Sequence, residues 1–231
     1  MFHLLIVLIL FRTRLPRPSV TEKKGKTRPL KELFSQPKFL VAVLSAMAGY
    51  GVMAMVMTAT PLAMTEESGH QFREAAFVIQ WHVVGMFAPS FFTGSLIHRY
   101  GSVPIIFTGI LLNILCIVIN LAGTDVLNYW SSLILLGMGW NFMFVAGTTM
   151  VTETYSPAEK AIVQGVNDFL VFGTAAASSL LAGVVQTSLG WRGVNLSSIP
   201  LLGVAVFALL WYIFRNAEKE VISLVKQDST A

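Results

Sequence analysis

FLVAVLSAMAGYGVMAMVMTATPLAMT, residues Phe39–Thr65, contains no Asp, Glu, Lys or Arg. It is longer than the roughly 20 apolar residues that carry a helix across the hydrocarbon core of a bilayer. Backbone in lipid must satisfy its own hydrogen bonds, and the run far exceeds the roughly ten residues of a membrane barrel strand, so it reads as a transmembrane helix. Five similar runs follow: Ala75–Ile97, Gly101–Thr124, Val126–Thr152, Ala161–Leu189 and Gly193–Phe214, with Asp168 the only interruption. Of the 231 residues, 55% are hydrophobic and 12% charged. The charged share is about half that of a soluble domain, near 25%. A soluble globule and a disordered chain are thereby excluded. The single cysteine, Cys116, excludes an intrachain disulfide scaffold. The expected fold class is an all-α membrane protein of six transmembrane helices.

Lys and Arg orient these helices. Nine of the 16 lie between Arg12 and Lys38. Alternating sides from there, the same face receives Arg99, Lys160, Arg215, Lys219 and Lys226, whereas the other receives only Arg73 and Arg192. The positive-inside rule therefore places the basic segment and the C-terminus in the cytoplasm. Four units are expected. Residues 1–11 are apolar but reach only about 17 Å as a helix, too short to span. They lack the preceding basic region and the small-residue cleavage site of a signal peptide, so they read as the remnant of a preceding transmembrane helix. Residues 12–38 form a basic cytoplasmic linker with Pro16, Pro18, Pro29 and Pro37. Its cluster Lys23, Lys24, Lys26 and Arg28 serves either as a topology determinant in a solvated connector or as a patch on anionic lipid. Leu30–Phe34 is expected to form a short amphipathic turn on the membrane surface. Residues 39–214 form the transmembrane domain, and 215–231 a cytoplasmic tail.

Gly94-Ser95-Leu96-Ile97-His98-Arg99-Tyr100-Gly101 closes the second run and enters a very short turn. Gly94 permits close helix contact, and Gly101 permits a tight turn. The string resembles the loop motif Gly-x-x-x-Asp-Arg-x-Gly-Arg of the major facilitator superfamily, in its second copy between helices eight and nine. Gly94, Arg99 and Gly101 match. His98 stands where Asp is expected, and Ser102 replaces the basic residue. Tyr155–Lys160 with Gln164-Gly165 is similar to the loop entering helix eleven, and Gly190-Trp191-Arg192 to the outer turn before helix twelve. The basic linker looks like the central loop of such carriers. The resemblance implies the C-terminal six-helix half of a secondary transporter in a bacterial inner membrane. Its partners would be the lipid bilayer, a small-molecule substrate, and a missing N-terminal half or a second half-transporter. The strings Gln80-Trp81-His82…Gly85–Ser90 and Thr58–Met64 resemble a bacterial branch that includes riboflavin-type and multidrug carriers.

Intramembrane polar groups supply the candidate site. Asp168 is an ionisable group within a run, about seven residues or roughly 10 Å from its cytoplasmic end. A carboxylate there is costly and faces a cavity or a partner, so it is a proton-coupling candidate or an interhelical bond. His82, about as far from the outer end of its helix, is the second coupling candidate; packing is its bland reading. Their depths differ by roughly 10 Å in a core about 30 Å thick, too far for direct pairing. Trp140 and Asn141 sit mid-span, where a ligand could stack and hydrogen-bond; helix–helix glue is the alternative for Asn141. Gln80, Trp81 and Asn167 complete the substrate-binding candidates, with Gln186 a further polar one. Trp130, Trp191 and Trp211 are expected in the interfacial aromatic belt. Gly49, Gly51, Gly137, Gly139, Gly147, Gly173, Ala175, Ala176, Ala177 and Gly183 are expected to let backbones approach.

No Gly-x-x-x-x-Gly-Lys-Ser/Thr motif binds nucleotide here, and no His-Glu-x-x-His or Gly-x-Ser-x-Gly supports an intramembrane protease. The expectation is therefore no enzyme, no cofactor, no metal and no nucleic-acid partner. It is a half-carrier working by alternating access, with proton coupling through Asp168 or His82. The competing expectation is a non-transporting fragment or an assembly partner of another half.

Overall fold

A computed structural model describes residues 27–228, with side chains to Ala217. The expected helix remnant at 1–11 and most of the basic linker lie outside the described residues. The elements are α1 (Leu30–Phe34), α2 (Pro37–Leu62), a π turn (Ala63–Glu67), α3 (Phe72–Phe87), α4 (Ser90–Tyr100), α5 (Ser102–Ala122), α6 (Val126–Thr152) and α7 (Lys160–Asp228). The π turn prolongs α2 into one crossing, Pro37–Glu67, and α3 with α4 form the next, Phe72–Tyr100. Pro89, which has no amide proton to donate, divides that second crossing.

The last crossing region, Lys160–Ala217, is long enough for two spans. It bends at Gly190, whose φ of +65° favours glycine. A Cβ placed on Gly51 would lie 3.1 Å from both Thr174 and Leu201. The two arms of α7 therefore lie side by side against α2 and run antiparallel. With arms α7a (160–189) and α7b (191–228), six crossings result, as the sequence predicts.

α6 packs against α2, α3 and α5, while α2 packs against both arms of α7. α3 and α6 approach backbone to backbone. A Cβ on Gly137 would sit 2.6 Å from the His82 carbonyl oxygen, and one on Gly85 would sit 2.8 Å from that of Ile134. The expectation of close packing fails at Gly94, Gly173 and Gly183, where an added Cβ meets nothing within 4 Å. Those three lie on helix faces that the described residues leave open. Gly101 has φ +84° and ends α4 as a tight turn requires. His98 and Arg99 are exposed there, with the Arg99 guanidinium 5.2 Å from the Tyr100 ring centre. Trp191, expected in the interfacial belt, packs inside the bundle next to the Gly190 turn. It is 2% exposed, its ring lies 5.1 Å from that of Tyr129, and it belongs to the core.

The end of the linker is docked, not solvated. Arg28 Nε donates to Glu159 Oε1 at 3.0 Å, and Nη2 donates to Glu159 Oε2 at 2.8 Å and to the Thr154 carbonyl at 2.9 Å. Glu159 also accepts from the amides of Arg28 and Ser156 and from the Ser156 hydroxyl, each at 2.9 Å. Leu33 of α1 is buried, and Gln36 Nε2 donates both to its carbonyl and to that of Thr154. The Arg28 guanidinium, followed by the Ser156 amide, holds the Glu159 carboxyl well below the ordinary carboxylate range. A carboxyl depressed in the folded state contributes stability above its ordinary value of 4.5 and loses it as pH falls below that value. We expect the melting midpoint of the protein in detergent to fall below pH about 4.5. Arg28→Met should lower it at neutral pH, because the nearly buried Glu159 loses its cation. The double variant Arg28→Met/Glu159→Met should regain part of that loss. A double variant no better than the single one would show that the pair is not the source.

Candidate functional site

Four aromatic side chains from three helices meet on one face of the bundle. Trp140 and Phe144 are one turn apart on α6, stacked at 5.3 Å with an interplanar angle of 9°. The Tyr50 ring of α2 stands edge-on to Trp140 at 5.3 Å, to Phe144 at 5.4 Å and to Phe172 of α7a at 5.5 Å. Phe87 of α3 extends the group, 6.2 Å from Trp140. Trp140 is 6% exposed, whereas Phe87 and Phe172 are 58% and 49% exposed. The cluster thus has a packed floor and open flanks.

Asp168 lies one turn from Phe172, roughly 6 Å along α7a. Both are exposed, as is Gly165 one turn before Asp168. The Asn167 side-chain amide donates to Asp168 Oδ1 at 3.1 Å. Asn167 is itself buried, and its Oδ1 has no partner among the described residues. Gln80 is exposed on the Phe87 side of α3, seven residues or two turns away. Asp168 and Gln80 therefore look out of the bundle on helices that share the aromatic cluster, whereas Trp140 lies in its buried floor.

The remaining candidates point elsewhere. His82 is fully buried, and its Nδ1–H donates to the Leu133 carbonyl at 2.8 Å, tying α3 to α6. Its Nε2 has no partner among the described residues. Asn141 is spent on the Pro89 break. Its amide nitrogen donates to the Met86 carbonyl at 2.8 Å and to Ser90 Oγ at 2.7 Å, and its oxygen accepts from Thr93 Oγ1 at 2.7 Å. This is the interhelical role weighed against ligand binding, and its physical reason is that Met86 lies in the last turn of α3, where carbonyls have no intrahelical donor. Trp81 packs edge-on against Trp130 at 5.9 Å and Phe77 at 6.3 Å, away from Trp140.

Sequence reading missed Tyr50, Phe87, Phe144 and Phe172. The one visible signal was Trp140 and Phe144 at i, i+4, which share a helix face. It also missed Glu67 at the end of the first crossing. Glu67 Oε2 accepts from the Trp191 amide at 2.8 Å and from Gln186 Nε2 at 2.7 Å. The carboxylate caps α7b at its N-terminus, where the helix dipole favours negative charge.

The family model described as Major Facilitator Superfamily matches residues 1–178 and 53–228. The chain is 42% identical over 211 residues to the riboflavin transporter RfnT of Brucella anthropi, covering 90% of this chain and 52% of that protein. It is 32% identical over 170 residues to the uncharacterized MFS-type transporter YddS of Bacillus subtilis, covering 73% of this chain and 39% of that one. It is 30% identical over 162 residues to YdeG of the same organism, covering 69% and 37%. The chain thus spans about half the length, or less, of these curated relatives. It belongs to the major facilitator superfamily, a family of integral membrane transporters and not of enzymes.

Proposed function

We propose that this member of the superfamily acts as one six-helix half of a secondary transporter that moves a planar aromatic solute by alternating access. The observation that carries the reading is the Tyr50–Trp140–Phe144–Phe172 cluster with Asp168 one turn away. Aromatic rings at these distances suit a flat ring system, and one polar or charged group beside them suits its orientation. RfnT is described as a riboflavin transporter, and a flavin has such a ring system.

Asp168 gives the second part of the proposal. An exposed carboxylate partway along a crossing cannot face hydrocarbon without a cost of several kcal/mol, about 2.5–3.5 by insertion scales. That face is therefore covered by a water-filled cavity and an opposing protein wall, from a second six-helix unit. Asp168 is placed to take up and release the coupled proton, with the buried His82 Nε2 as the second candidate. The charge asymmetry of the loops supports a cytoplasmic location for residues 12–38 and for the C-terminus.

The test is riboflavin flux into vesicles carrying the chain, alone and with a second six-helix unit, under an imposed pH gradient. Asp168→Asn should abolish acceleration by the gradient and leave the amount of protein in the membrane unchanged. If the gradient accelerates the variant as it does the parent, Asp168 is not the coupling group. Absence of flux in every combination would favour the assembly-partner reading.

A further inference from the structure

A second concave surface lies away from the aromatic cluster, where the N-terminal part of α2 meets the middle of α7b. It is an apolar groove of about 530 Å³, with Leu40 and Leu44 on one wall and Pro200, Gly203, Phe207 and Trp211 on the other. Phe207 is 74% exposed, and a Cβ on Gly203 would meet nothing within 4 Å. The α7b wall at Gly203 thus faces open space and not a packed contact. From Pro200 to Trp211 the helix rises by roughly 16 Å. That matches the depth of one leaflet, half of a hydrocarbon core about 30 Å thick.

The groove ends beside a cation. Arg215 follows Trp211 by one turn, and its guanidinium lies 5.5 Å from the Trp211 ring centre. It is exposed and makes no ion pair or hydrogen bond among the described residues. Lys38, next to the opposite wall, is already held by Glu153. The groove therefore offers an apolar channel one leaflet long with a positive charge at its mouth.

We propose that this groove is a lipid site that holds one acyl chain of an anionic phospholipid, with the headgroup phosphate on Arg215. Gly203 is the specificity-determining position for the chain, because any side chain there would project into the groove. Arg215 discriminates the headgroup by charge, and Trp211 holds the guanidinium at the mouth through its ring face.

The experiment uses the full chain in phosphatidylcholine bilayers doped with acyl-chain spin-labelled phosphatidylglycerol or phosphatidylcholine. The readout is the motionally restricted lipid population. We expect the anionic label to be preferred by about five-fold, the worth of one basic residue next to anionic lipid. Arg215→Gln should bring the two labels to parity without changing the number of restricted sites. Gly203→Leu should remove one restricted lipid per chain while leaving the melting midpoint unchanged. Parity in the parent protein, or a preference that survives Arg215→Gln, would overturn the headgroup assignment. An unchanged restricted population in Gly203→Leu would overturn the groove itself. Should Gly203→Leu fail to fold, Phe207→Cys gives the second reading. Efficient disulfide crosslinking of two chains through that cysteine would show that a second copy covers the groove, and the proposal would fall.

Discussion

Gly137→Leu is expected to yield no folded bundle, and Gly137→Ala should already lower the melting midpoint measurably. The cause is backbone against backbone. A Cβ at position 137 would lie 2.6 Å from the His82 carbonyl oxygen and 2.8 Å from the Met86 amide nitrogen. Real Cβ atoms do not approach other heavy atoms so closely, and neither obstacle can rotate away. α3 must move off α6. That movement also pulls His82 Nδ1 from the Leu133 carbonyl and strains the Asn141 bonds to Met86 and Ser90. Overpacking of this kind costs about 1–3 kcal/mol for a methyl group and more for a larger side chain. Gly183→Ala is the matched control, because its Cβ meets nothing within 4 Å. The check is the melting midpoint in detergent, followed by fluorescence-detected gel filtration. Equal midpoints for Gly137→Ala and Gly183→Ala would remove the close approach as an explanation.

If the proposed function holds, Phe172→Ala and Trp140→Phe should each weaken binding of a planar aromatic solute by about ten-fold, with smaller effects on folding. Phe172 is half exposed, so truncation removes little core. Trp140→Phe keeps an aromatic ring between Tyr50 and Phe144. An aromatic pair in good geometry contributes about 0.5–1.5 kcal/mol beyond area burial, and its upper end corresponds to ten-fold in affinity. Trp140→Ala is the poorer test, since removing a buried Trp costs about 3–5 kcal/mol of stability. The measurement is a riboflavin titration of the purified chain followed by quenching of protein fluorescence, with the KM for flux as a second readout. The parent and both variants giving one titration curve would rule out the aromatic cluster as the binding surface. Loss of binding in the variants alongside unchanged melting midpoints would tie the loss to the site.

The candidate site was half legible. Asp168 and Gln80 stand on its open side and Trp140 in its packed floor, and all three stand out in the sequence as polar groups or a tryptophan inside apolar runs. Tyr50 and Phe172 do not, because an aromatic residue in a membrane helix is ordinary. Glu67 escaped for a different reason. The first uncharged run ends at Thr65, but the π turn carries the helix to Glu67, and only the fold brings Gly190 and Trp191 to its carboxylate.

Six crossings, their order and the turns between them were determined by the sequence alone. A bilayer demands long uncharged helical runs, and charge, proline and glycine end them at readable positions. Which face of each helix looks inward was decided by the tertiary structure. In a soluble helix an apolar stripe marks the buried side, but lipid is as apolar as the core, so no such stripe forms. Trp140 and Asn141 show the consequence. They are neighbours in sequence, and a turn of about 100° per residue separates their duties. One faces the aromatic cluster, and the other closes the break at Pro89.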